Sequence, residues 1–139
     1  MQYNELLFGL FFNLKALYQK NLKFPNITFQ QILAIFMIEN SGVEMSYFSK
    51  KLGIDNSTST RLIDGLEKKK LVKRERDKLD NRIIKVFLTK HGEKVYNSID
   101  IQLEKIGFSV EEQFDDNLKV DIIESFSSLN WAIIKYLNR

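Results

Sequence analysis

The stretch Arg74–Thr89, RERDKLDNRIIKVFLT, decides how this chain is read. With the preceding Leu71 and Val72 it contains two segments, LVKRER and RIIKVFL, in which apolar and polar side chains alternate with period two, the spacing of a half-buried strand. Between them DKLDN has the composition of a hairpin loop. A short hairpin carrying Arg74, Arg76, Lys78 and Arg82, set in a chain that is otherwise helical, has the chemistry to lie against a polyanion.

Upstream of the hairpin the period is 3.6. Asp55 can cap a helix over NSTSTRLIDGLEKKK, with Leu62, Ile63 and Leu66 as its core side. Before it, Ser46 can cap a short helix, YFSKKL, which Gly53 would stop because glycine accepts a positive φ. Two short helices joined by LGID make a helix-turn-helix pattern. Thr28 and Gln31 fit a capping box for an earlier helix whose core side is Ile32, Leu33, Ile35, Phe36 and Ile38, and Asn40, Ser41 and Gly42 would end it. The first segment places Leu7, Leu10, Phe11, Leu14, Leu17 and Tyr18 at helical spacing, and Pro25, the only proline, breaks it from the rest. Downstream, Thr89 can cap a fifth helix to about Phe114. Leu118, Ile122, Phe126, Leu129, Ile133 and Leu137 mark a sixth.

At 139 residues and 44% hydrophobic content the chain suits one core rather than two. There is no cysteine, so disulfides, thiolate metal sites and thiol redox sensing are excluded. The run LLFGLFFNL covers about half of the ~20 residues a bilayer needs, and the opening MQYNE lacks the basic start of a secretory signal. A soluble, cytoplasmic protein without a membrane partner is expected. The net charge is +3, yet Lys50–Lys85 holds 12 Lys and Arg against 6 acids, a local excess of +6 that leaves −3 for the remainder. A phosphate-facing surface looks like this, and from charge alone so does a solvated face.

The run Met45–Gly92 resembles the DNA-binding lobe of MarR-type transcriptional regulators. The matching marks are LG before the fourth helix, STSTRLIDGLEKK along it, LVKRERD into the hairpin, D-x-R at Asp80–Arg82, and LTKHG after it. The resemblance implies a mainly α fold: a winged helix-turn-helix DNA-binding lobe with a two-stranded β-hairpin wing, flanked by N- and C-terminal dimerisation helices. Residues 1–139 would form a single MarR-like domain, with 28–90 as the lobe and 1–24 and 91–139 as the dimerisation helices. Three positions depart from the family pattern. Lys70 stands where glycine usually closes the recognition helix, Ser59 where an aliphatic residue is common, and Gly65 lies mid-helix, at a cost of about 1 kcal/mol relative to alanine.

An α-helix fits the major groove of B-DNA and reaches base edges with its N-terminal residues. On the fourth helix Ser57, Thr60, Arg61, Asp64 and Lys68 share a stripe away from the core side, and Asn56, Ser57, Thr58, Thr60 and Arg61 are the expected DNA-binding residues. Arg61 can pair its planar fork with guanine or, more simply, touch a phosphate. By resemblance, Arg82 enters the minor groove and Asp80 holds the loop or the arginine in place; Asp80 could equally be a turn aspartate bonding its own backbone. Arg74, Arg76 and Lys78 would supply phosphate contacts.

The terminal segments carry more apolar surface than one stripe can hide, and family members dimerise through such helices. The resemblance implies a sequence-specific regulator, expected as a repressor, bound as a homodimer to double-stranded DNA at a pseudo-palindromic operator. It also implies release by a small apolar or aromatic effector, for which Phe8, Phe11, Phe12, Tyr18, Phe29 and Phe36 supply aromatic surface. The competing function is a winged-helix adaptor that binds protein instead of DNA. His91 is the only histidine and no organised nucleophile or phosphate loop is present, so no enzyme, metal site or cofactor is expected.

Overall fold

The starts of the first, second and fourth helices are each fixed by a side chain that satisfies an orphan backbone amide. In the computed structural model, which describes residues 1–139, the Glu5 carboxylate accepts from the Gln2 amide at 3.2 Å where α1 (Tyr3–Asn21) begins. The capping box expected at Thr28 is formed: its hydroxyl accepts from Gln31 N at 3.2 Å and the Gln31 side chain accepts from Thr28 N at 3.1 Å. The helix it starts, α2, spans Phe29–Phe36. It ends four residues before the expected Asn40, because Met37 N donates to both Leu33 and Ala34 and Ile38 N donates back to Ile35, a tightening last turn.

A strand not expected from the sequence follows, β1 at Val43–Glu44. It changes the start of α3 (Met45–Leu52): the residue before that helix is Glu44, extended and paired with Lys85, so the helix begins directly off the strand and Ser46 lies inside it. Gly53 ends α3 with φ 64, as its position suggested. Then come α4 (Asn56–Lys68), β2 (Val72–Arg76), β3 (Ile84–Leu88), α5 (Lys90–Glu111), a 3-10 turn at Asp116–Leu118 and α6 (Lys119–Leu137). The sheet is three-stranded and antiparallel in the order β1-β3-β2, rather than a two-stranded hairpin. Val43 and Arg74 both register with Val86, the fully buried centre of the sheet. The loop is also longer than DKLDN. Arg82 and Ile83 lie outside the ladder, and Asp77 N closes the loop on the Ile83 carbonyl at 2.8 Å.

The buried face of α4 is Ser59, Ile63 and Leu66, at spacings of four and three; Leu62, expected in the core, is half-buried. Against that face packs the buried Gln31 of α2, whose amide nitrogen lies 3.0 Å from where a Cβ on Gly65 would stand. Gly65 thus leaves room for the end of the Gln31 side chain. The Gln31 oxygen also accepts from Lys69 Nζ at 2.8 Å, and the same ammonium donates to the Asn26 carbonyl.

The end of α4 is a Schellman motif. Lys70 N donates to Glu67 at 2.9 Å and Leu71 N donates to Leu66 at 3.0 Å, which requires a left-handed residue between them. That residue is Lys70, at φ 59. The Leu71 carbonyl in turn accepts from Thr89 N at 3.0 Å, and Thr89 caps α5 by accepting from Gly92 N at 3.0 Å. A Cβ on Gly92 would fall 2.0 Å from that Leu71 oxygen, so only glycine fits.

On α5, Val95 and Ile99 are buried and Tyr96 stacks on Phe36 with ring centroids 4.7 Å apart. Gln102 clamps the Lys23 backbone with two bonds of 2.9 Å. The chain divides into two compact units, Met1–Leu103 and Glu104–Arg139. In the second, Lys119 neutralises Asp116 at 2.8 Å and Glu112 at 3.4 Å, so these carboxylates are ion-paired around the turn. Neither α1 nor α6 has a buried residue. No helix is long and apolar enough to cross a membrane.

Because the left-handed region disfavours a Cβ while every bond of the motif is made by backbone, Lys70→Gly should stabilise the fold by about 1 kcal/mol. Urea denaturation followed by circular dichroism checks this; an unchanged or lowered midpoint would mean that the lysine side chain contributes more than its backbone strain costs.

Candidate nucleic-acid interface

The N-terminus of α4 is built around Asp55. Its carboxylate accepts from Thr58 N at 2.7 Å and from the Ser57 hydroxyl at 2.8 Å. These bonds, the Thr58 amide first, hold its pKa down to about 2. The cap is therefore charged at neutral pH; its contribution is complete above the ordinary value of 3.8 and is lost as pH falls through about 2. Thr60 returns its hydroxyl to the Asn56 carbonyl at 2.9 Å. Asn56, Ser57, Thr60 and Arg61 are exposed on this first turn and a half, while Thr58 is half-buried. The Ser57 and Thr60 hydroxyls are thus partnered within the helix, and Arg61 carries the longest exposed reach.

The wing holds its second expected element in a defined pose. Asp80 accepts from Arg82 three times: Nε at 3.0 Å, a terminal nitrogen at 3.0 Å and the backbone amide at 3.1 Å. The bidentate side-chain pair, then the backbone bond, lowers the Asp80 pKa, and Asp80 raises that of Arg82. Both expected roles of the aspartate coexist here, turn and arginine clamp. The arginine side chain is nevertheless 90% exposed, so the pair presents a guanidinium face to solvent. Arg76 donates to the Asn81 carbonyl at 2.8 Å across the loop, and Lys78 is exposed near the tip.

Arg74 is arranged differently from its neighbours. Its side chain is half-buried against α4, where it bonds the Asp64 carboxylate and lies 3.4 Å from Glu67. It therefore ties the wing to the exposed helix rather than standing free beside Arg76 and Lys78. Period two carried a signal for this, since Val72, Arg74 and Arg76 share one face of β2 and Val72 is buried. Asp64, read as part of the outward stripe, is the other half of the tie.

A cavity of about 570 Å³ opens between the end of α2 and the start of α5, lined by Ile38, Glu39, Asn40, Leu88, Glu93, Tyr96 and Asn97. None of the aromatic residues expected to serve an effector lines it.

An exposed, N-capped helix following a left-handed glycine turn, with a cationic hairpin fastened to its side, defines a winged helix-turn-helix protein. Comparison with known proteins agrees. The family model described as MarR family matches residues 26–83. The HTH-type transcriptional regulator SarZ of Staphylococcus haemolyticus is 28% identical over 121 residues, covering 83% of this chain and 82% of that protein. The uncharacterised HTH-type transcriptional regulator YhbI of Bacillus subtilis is 30% identical over 114 residues, covering 76% and 74%. In fold, the crystal structure of Streptococcus pneumoniae FabT in complex with DNA matches with a TM-score of 0.78 over 96% of each chain, at 22% identity. The chain belongs to the MarR family of winged helix-turn-helix transcriptional regulators.

The tie between wing and helix is testable without DNA. In a double-mutant cycle of Arg74→Ala and Asp64→Ala, urea denaturation should return a coupling of about 1 kcal/mol, the scale of a partly exposed but well-placed pair. Additive effects would show that the two side chains do not depend on each other.

Proposed function

We propose that this protein is a sequence-specific, DNA-binding transcriptional repressor that acts as a homodimer on a pseudo-palindromic operator. Residues 28–90 form the DNA-binding lobe, and the helical segments 1–24 and 91–139 make the dimer. The observation that carries the proposal is the joint presentation of Arg61 on the first turns of α4 and of Arg82 on the wing, with Arg74 fastening one element to the other. In this reading α4 enters the major groove, where Arg61 pairs with a base edge, and Arg82 enters the minor groove. The amides of Asn56 and Ser57 approach a phosphate, and Arg76 and Lys78 contact the backbone beside the wing. Arg74 acts by positioning.

The dimer is supported by what the chain alone leaves uncovered. Phe8, Phe11 and Phe12 on α1 are each more than half exposed, as are Phe126, Trp131 and Tyr136 on α6. Apolar surface of this extent on successive turns marks an interface. A two-fold dimer sets two α4 helices about 34–36 Å apart, one helical turn of DNA. The same aromatic surface supports a small apolar or aromatic effector whose binding changes that separation. The relatives' names and the DNA in the FabT crystal support nucleic acid over a protein partner for the wing.

Selection from random duplex DNA at two salt concentrations should recover an inverted repeat with half-sites about one turn apart, bound with an affinity that falls steeply with salt. Enrichment of no sequence would favour the adaptor function. On the recovered site, Arg82→Ala should weaken binding about tenfold or more with the dimer intact by sedimentation, and unchanged affinity would remove the wing from the mechanism. Arg61→Ala should flatten the preference among single-base variants of the site more than it lowers affinity for unrelated DNA. A uniform loss would make Arg61 a phosphate contact.

A further inference from the structure

The wing carries one side chain that phosphate binding does not call for. Leu79, at the loop tip, is 97% exposed, while the other large apolar residues of the hairpin, Leu71, Val72, Ile83, Ile84, Val86, Phe87 and Leu88, are buried or half-buried. The loop beneath it is tied down. Asp77 N donates to Ile83 at 2.8 Å, Ile83 N to Asp80 at 3.0 Å, Arg76 to Asn81 at 2.8 Å, and both Asp80 carboxylate oxygens hold one edge of the Arg82 guanidinium. A leucine held out on such a support is presented in a fixed place, one residue from Lys78 and three from Arg82.

We propose, resting on the wing–DNA reading above, that Leu79 enters the minor groove beside Arg82 and acts as an apolar wedge that partly unstacks one base step. Leucine can neither donate nor accept a hydrogen bond, so any recognition it adds comes from losing water against sugar walls and base faces. Apolar side chains of this size insert between base pairs from the minor groove and kink the duplex. The flanking cations supply the attraction to both strands that keeps the tip seated. Pyrimidine–purine steps unstack most easily, so the wedge makes the operator sensitive to sequence at a position where no side chain hydrogen-bonds a base.

The test uses the duplex recovered by selection, with the step under the wing located by footprinting and carrying 2-aminopurine. Wild type, Leu79→Ala and Leu79→Met are compared on a version with a pyrimidine–purine step there and on one with an A-tract. Wild type should raise the 2-aminopurine fluorescence, Leu79→Met should retain the rise, and Leu79→Ala should abolish it while losing about tenfold in affinity on the flexible site, the order expected for removing one inserted leucine. On the A-tract site the two proteins should bind within about twofold of each other, since a stiff step admits no wedge. Equal affinity and equal fluorescence for wild type and Leu79→Ala would overturn the wedge and leave the proposed function standing, as would an affinity loss with no fluorescence change in the wild-type complex. Failure of the wild-type protein to bind any duplex would remove both.

Discussion

The lobe depends on the backbone of one residue, Leu71. Its amide closes the Schellman turn on Leu66 and its carbonyl receives Thr89, so the end of α4, the entrance to the wing and the cap of α5 all meet at two backbone atoms. The side chains obey the same constraint: Leu66 and Leu71 are both buried, the apolar pair that accompanies this motif. Gly92 follows because the carbonyl lies where a Cβ would stand, and Lys70 is left with the backbone conformation that the geometry demands. The resemblance placed glycine in the closing turn, and the turn forms with Lys70 in its place.

The charge of the middle segment divides into two populations. Arg74 is committed to Asp64 and Glu67, Lys69 to Gln31 and Asn26, Lys73 to Glu75 at 3.1 Å, and Lys85 lies 3.9 Å from Asp77. Arg74, Lys69 and Lys85 join separate segments, while Lys73 pairs within its own strand. Arg61, Lys78 and the outer face of Arg82 remain directed to solvent. The formal excess of +6 already cancels these ion pairs, and what it leaves out is their organisation, because the committed cations fix where the free ones stand.

Much of this architecture was legible in the sequence because it rests on local chemistry. The box at Thr28–Gln31, the cap at Asp55, the stop at Gly53 and the cap at Thr89 each need only residues a few positions apart, and all are formed. What was missed depends on partners distant in the chain. β1 has two residues, too few for any periodicity, and exists because β3 offers an edge. Ser59 is buried by the position of α4 against its neighbours and not by its own polarity; its hydroxyl has no hydrogen-bond partner. Gly65 reads as a helix defect until Gln31 is seen against it. Arg74 reads as a free cation until α4 supplies its carboxylates. In the candidate interface Arg61 was legible as the arginine on the outward stripe of its helix, and Asp80 and Arg82 from motif resemblance, whereas the three-point grip between Asp80 and Arg82 is geometry that no spacing specifies.

These ties bear on how a dimeric regulator of this kind would work. Reading one half-site requires α4 and the wing to reach adjacent grooves in register, and a hairpin this small has little core with which to hold itself. Arg74 fastens its base to α4, Leu71 fastens its entrance, and the Asp77–Ile83 closure fastens its tip, so the wing is tied to the helix and closed on itself. In the proposed dimer the remaining variable is then the separation of two such helix–wing pairs. That distance is set by the terminal helices, whose aromatic surface is uncovered in the single chain. In that proposal recognition chemistry and its control fall to different parts of the chain. A ligand that altered only the packing of the terminal helices could change operator affinity by misplacing one lobe relative to the other, without disturbing a single hydrogen bond in the wing.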